Sequence, residues 1–140
     1  MSKLLDTNNG NFYVGEHFVL HANLLFQKLV ATGMVFSHEF NMKTGWVFRT
    51  TGPHLVCGQE ANLSLGFIND ELRRINFSFV QIKGMELKEL LKAHNQFLLQ
   101  ELGRPNFECS DGVSYQFAWG AVESSIDPRG GSCDIVISWN

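Results

Sequence analysis

The sequence predicts an α+β fold: an antiparallel β-meander sheet packed against one long helix, at about 85–102, and one shorter helix near the N-terminus. Three observations carry this. Between Met34 and Phe79 apolar residues recur with a period of two, as strands with one buried face require. The links between those runs are too short for a parallel crossover, so neighbouring strands run antiparallel. Residues 85–102 instead place Leu87, Leu90, Leu91, His94, Leu98 and Leu102 on one stripe at helical spacing.

At 140 residues the chain has the common size of a single domain, 1–140. Its 44% hydrophobic content and twelve phenylalanines are enough for a core without disulfides or metal, and exclude a disordered chain. Residues 1–11 are polar and Asn-rich and are expected to be loose. Phe12 to Leu20 reads as a first strand, weakened by Gly15. Asn23 is placed to cap the short helix, Leu24 to Thr32, which Gly33 closes. Its apolar face comes from the i,i+4 pairs Leu25/Leu29 and Phe26/Val30.

In the meander, Met34, Phe36, His38, Phe40 and Met42 share one face, and Lys43-Thr44-Gly45 turns the chain into a strand from Trp46. Gly52-Pro53 is expected to break that strand before a short one, His54 to Cys57. Leu63, Leu65 and Phe67 alternate next, Asn69-Asp70 turns, and Ile75, Phe77 and Phe79 return. The long helix ends at Gly103, a left-handed cap position, and Pro105 forbids its continuation. Val113, Tyr115, Phe117 and Trp119 form a strand whose phase slips at a bulge, Gly120-Ala121. Asp127-Pro128-Arg129-Gly130 fits a type I turn, and Cys133, Ile135, Ile137 and Trp139 run back from it.

The inventory of reactive side chains argues against catalysis. The histidines show no HxH or HExxH spacing, so no metal site and no cofactor is expected. His54 and Cys57, three apart in a strand, point to opposite faces and make no nucleophile–base pair. Cys57, Cys109 and Cys133 read as reduced thiols of a cytoplasmic protein, although a Cys109–Cys133 bridge stays open if the terminal strands pair. No apolar run near the N-terminus makes a signal peptide, and none is long enough to span a bilayer.

Charge is more informative. Basic and acidic residues cancel over residues 1–103, nine against nine. From Arg104 onward, Arg104 and Arg129 stand against Glu108, Asp111, Glu123, Asp127 and Asp134, so the net charge of -3 resides in that last quarter. Nucleic-acid binding needs the opposite sign and is excluded as the main activity. An acidic surface of this kind suits a basic protein partner, which it would attract over a distance.

Several stretches of residues 60–140 resemble small bacterial α+β proteins, some of them immunity proteins of contact-dependent or polymorphic toxin systems. They are Leu63-x-Leu65-x-Phe67 through Asn69-Asp70-Glu71-Leu72 to Ile75-x-Phe77, then Leu102-Gly103-x-Pro105, Trp119-Gly120, Asp127-x-Arg129, and Ile135-x-Ile137-x-Trp139. The resemblance implies a non-catalytic chain that binds and neutralises a cognate toxin domain. It transfers no functional residues, because such proteins block their toxins with surfaces that differ from pair to pair. Joined to the charge asymmetry, the expectation is a basic, nuclease-like toxin met by Glu108, Asp111, Glu123, Asp127 and Asp134. The alternative is a small-ligand-binding or enzymatic domain with a pocket between helix and sheet, lined by Trp46, His38, Phe77 and His94. A purely structural or oligomerisation module is a third possibility.

Overall fold

The computed structural model describes residues 3–82, 84–127, 129 and 131–140. The elements run β1 (Phe12–Val14), β2 (Phe18–Leu20), α1 (Phe26–Ala31), β3 (Phe36–Asn41), β4 (Trp46–Val56), β5 (Gln59–Ile68) and β6 (Glu71–Phe79). After a short 3-10 turn, Val80–Ile82, come α2 (Leu87–Leu102), β7 (Phe107–Cys109), β8 (Gly112–Phe117), β9 (Gly120–Asp127) and β10 (Ser132–Trp139). β1 and β2 pair with each other, and the other eight strands form one sheet in the order β3-β4-β5-β6-β10-β9-β8-β7. Every pairing is antiparallel. The fold is α+β, with one long helix and one short one, as the periodicities predict.

The sheet is two meanders joined at its centre. β3 to β6 proceed stepwise; α2 then carries the chain to the far edge, and β7 to β10 step back until β10 lies against β6. Four strand spacings separate β6 from β7, about 19 Å. A helix of 16 residues covers about 24 Å, which is enough for that crossing.

One face of the sheet is dry. Leu63, Leu65 and Phe67 of β5, Ile75, Phe77 and Phe79 of β6, Val122 of β9, and Ile135, Ile137 and Trp139 of β10 are all buried on it. Two separate covers lie over this face. α2 packs on β8, β9 and β10, burying Leu91, His94 and Leu98. The N-terminal segment covers the other meander: the Phe12 and Phe77 rings lie 5.5 Å apart, and Phe26 of α1 meets Phe67 at 5.5 Å. The long helix therefore rests mainly on the C-terminal strands rather than on the aromatic meander, although Phe97 reaches Phe79 at 4.8 Å.

Tertiary contacts changed several local expectations. Residues 3–11 are held rather than loose: Leu4 and Leu5 are buried, Trp119 Nε1 donates to the Thr7 carbonyl, and Trp139 Nε1 donates to that of Gly10, both at 2.9 Å. Gly10 admits the indole because a Cβ there would stand 2.5 Å from the Trp119 ring. Residues 12–20 are a small hairpin turned at Gly15–His17 instead of one strand. Asn23 does not cap α1; it takes φ 64, and the helix starts after Leu25 with no side-chain cap. Gly52-Pro53 does not end β4, which passes through a register irregularity between Thr51 and His54 and continues to Val56.

The expected bulge at Gly120-Ala121 is a second hairpin turn, with Phe117 paired to Gly120 across Ala118-Trp119. Glycine is required there because a Cβ would lie 2.0 Å from the Ser138 carbonyl. In the last turn Asp127 Oδ1 accepts from the Arg129 amide at 2.9 Å, the side-chain role expected of it. Pro128 and Gly130 of that turn lie outside the described residues. Cys57, Cys109 and Cys133 are free thiols.

Candidate functional site

Strand alternation puts every second side chain on the face opposite the core. Both helices pack on the inner side, and this outer face stays half-exposed: Thr50, Ser64, Arg74, Asn76, Ser78, Asp134, Val136 and Ser138 are all intermediate in burial. Its centre is small and polar, and its two ends differ.

At the C-terminal end the register collects carboxylates. Glu123 lies opposite Val136, Ser125 opposite Asp134, and Asp127 opposite Ser132. Asp134 is thus diagonal to both Glu123 and Asp127, a separation of about 7–8 Å that side chains bridge. Asp111 sits at the same end, its carbonyl accepting from the Ile126 amide at 3.1 Å. Glu108 is set apart: it pairs with Val113 and so has the parity of the inner face, exposed on the edge strand β7. Three of the five sequence-picked carboxylates therefore share one surface, a fourth borders it, and the fifth faces the other way.

Asp134 differs from its neighbours in being half-buried. Burial pushes its carboxyl above the usual range, and Arg74 pulls it partly back. Arg74 itself donates from Nε to Asn76 Oδ1 at 3.1 Å. Among the described residues the ion pairs are those of Arg49 with Glu39 at 2.7 Å and with Asp70 at 3.3 Å. Arg49 lies on the inner side, its guanidinium 3.7 Å from the Phe26 ring centre, and serves the core.

The other end of the outer face is apolar. Phe40 (65% exposed) stands on the edge strand β3 and Met42 (45%) just after it, and Phe40 pairs with Phe48. Trp46 and Phe48 stack at 5.6 Å and 15°, and Phe48 lies over Gly66, where a Cβ would come within 2.7 Å of its ring. The sequence reading missed this patch. Its signal was the alternation of Phe40, Met42, Trp46 and Phe48, which says that they share a face but not that the face is uncovered.

Two concavities open on the sheet. One, of about 440 Å³, lies beside the start of α2 and takes Asn62, Asn76, Ser78, Asp134, Met85 and Leu90 into its lining. The other, of about 460 Å³, runs along β7 to β9, from Phe107 to Glu123 and Ser125. The four residues expected to line one ligand pocket do not converge. Phe77 borders the first cleft, Trp46 borders a separate hollow with Arg73 and Arg74, His38 is exposed on β3, and His94 is fully buried.

The titratable groups of the interior are poorly suited to catalysis. His94 contacts Ser78 Oγ at 3.3 Å and Cys133 Sγ at 3.6 Å, and burial pushes its pKa down to about 4, so it is neutral at pH 7. Burial, with Glu101 at 3.5 Å, pushes the Cys57 thiol up to about 12. Burial and Asp134 raise Cys133 to about 11. Both thiols are protonated at neutral pH, the reverse of an activated nucleophile. Among the described residues no His, Cys, Asp and Glu side chains group in threes as a metal would require, and no helix is long and apolar enough to cross a membrane.

No protein-family model matches the chain, and no curated protein matches it in sequence. A solved structure matches in fold. One chain of "Rhs1-CT in complex with cognate immunity protein RhsI1" aligns with a TM-score of 0.62 at 14% identity, over 97% of this chain and 86% of that chain. The likeness noted for residues 60–140 has a counterpart here in a shared fold over nearly the whole chain.

Proposed function

We propose that this chain is an immunity protein, a non-catalytic inhibitor that binds and neutralises a cognate toxin domain in the cytoplasm. The observation that carries the reading is the fold shared, over 97% of the chain, with a component of a solved complex between Rhs1-CT and its immunity protein. On this reading the working surface is the outer face of the sheet. Glu123, Asp127 and Asp134, bordered by Asp111 and with Glu108 at the edge, supply the attraction. A basic, nuclease-like toxin is the matching partner, since clustered charge speeds encounter with the opposite sign. Phe40, Trp46 and Phe48 add desolvated aromatic contact, the side-chain type that dominates binding energy in interfaces.

The test is a search for a toxin-domain reading frame beside this gene and co-expression of the chain with the domain so found. Restored growth and a co-purifying complex are the expected results. Unrelieved toxicity with the folded protein present would reject the reading. The cleft beside α2 is a feature that favours the alternative, a small-ligand-binding or enzymatic domain. Against catalysis there, among the described residues the carboxylate of the cleft has no activated base or nucleophile beside it.

A further inference from the structure

We infer that the cleft between β6, β10 and the start of α2 receives one basic side chain of the partner, with Asp134 as its counter-ion. This rests on the reading above, that the partner is a basic protein. The cleft exists because the two meanders are joined over only four residue pairs, from Ile135↔Phe77 to Ser138↔Arg74. Beyond them the strands part, and Ser78 and Asp134 face an opening of about 440 Å³ instead of each other.

The lining matches a long cationic side chain in three respects. Asp134 is half-buried, and among the described residues it has no ion pair. Arg74 acts on this carboxylate from a distance but makes no ion pair with it, so part of the cost of withdrawing it from water remains, and an entering cation lowers that cost. Asn62, Asn76, Ser64 and Ser78 line the same cleft with amide and hydroxyl oxygens. Although Asn76 Oδ1 accepts from Arg74 and Ser78 Oγ contacts His94, each oxygen keeps a further lone pair for an N–H group of a guanidinium or ammonium. Met85, Leu87 and Leu90 make the opposite wall apolar, suited to the methylene stem of arginine or lysine. The positive end of α2 lies near this wall, but Glu86 and Glu89 at its start offset it, so an anionic guest meets net repulsion. Arg74 is engaged with Asn76 and does not fill the site.

The test uses the intact chain and needs no toxin. N-acetyl-arginine amide is titrated in against amide NMR spectra, with N-acetyl-citrulline amide as the uncharged control. The arginine compound is expected to shift Asn76, Ser78, Cys133 and Asp134, and the citrulline compound to leave them in place. Asp134→Asn should weaken the arginine compound on the order of tenfold. Asn62→Asp, which adds a second carboxylate at the rim, should tighten it. Equal shifts with both compounds, shifts confined to Glu123 and Asp127, or unchanged binding by Asp134→Asn would each overturn the assignment, as would no shift at the solubility limit. A failure here leaves the growth-rescue result standing, and a failed rescue leaves the titration standing.

Discussion

The two faces of the eight-stranded sheet are made by the same strands, often by adjacent residues, yet they are built to opposite rules. The inner face carries Leu65, Phe77, Ile137 and their neighbours under two covers and is almost fully dry. The outer face carries serines, asparagines, three carboxylates and an aromatic corner, and the helices pack mainly on the opposite face, with only the start of α2 reaching its cleft. Removing an inner side chain leaves a cavity in close-packed surroundings, whereas changing an outer one alters only what the surface can meet. Stability belongs to one face, and the proposed function assigns recognition to the other.

The largest effect expected from breaking this contrast is at Phe77. Phe77→Ala should lose about 3–5 kcal/mol of unfolding free energy, read by denaturant titration, because its ring is buried between Phe12 and Phe79. A loss below about 1 kcal/mol would mean that the inner face is not the close-packed one.

Next comes acid. The pKa of His94 is lowered from 6.5 to about 4, so the unfolded chain binds the extra proton between those values. Stability is therefore full above pH 6.5 and falls as pH drops toward 4, by roughly 3 kcal/mol at most. Thermal melts at pH 7 and pH 4.5 should show the fall, and His94→Gln should flatten the part that this residue contributes.

Trp139→Phe removes the donor to the Gly10 carbonyl and should destabilise by about 1–2 kcal/mol. Faster amide exchange in residues 4–13 would mark the loosened N-terminal cover. Unchanged exchange there would show that the indole bond does not hold the segment.

The smallest stability effect belongs to the outer face. Glu123→Gln with Asp127→Asn should change stability by no more than about 0.5 kcal/mol. The same pair should slow association with a basic toxin about tenfold at low salt and far less at high salt. A salt-independent loss would move the recognition away from charge.

Legibility in the sequence followed the range of the interactions involved. α2 was readable to within two residues because its stripe and Gly103 are local features. Antiparallel pairing followed from short links. By contrast, the split of residues 12–20 into a hairpin, the turn at Ala118-Trp119 and the capture of Leu4 and Leu5 each depend on a distant partner. In the site, Asp127 and Glu123 were picked from charge alone, and register brought Asp134 between them. Glu108 was picked by the same rule, but strand parity turned it away.

What the sequence determined by itself was therefore the class of the longer segments, the antiparallel order of neighbours in the first meander and the sign of the charge in the last quarter. These follow from periodicity, turn chemistry and composition, all of which act over a few residues. Only the tertiary structure decided that β10 returns to the centre of the sheet beside β6, and with it where α2 rests. Alternation states that a strand has two faces; it does not state which strand lies next to it or which face is covered. The cleft between the meanders is the product of that one long-range pairing, made by residues some sixty positions apart, whereas the acidic and aromatic corners come from pairings of strands adjacent in sequence.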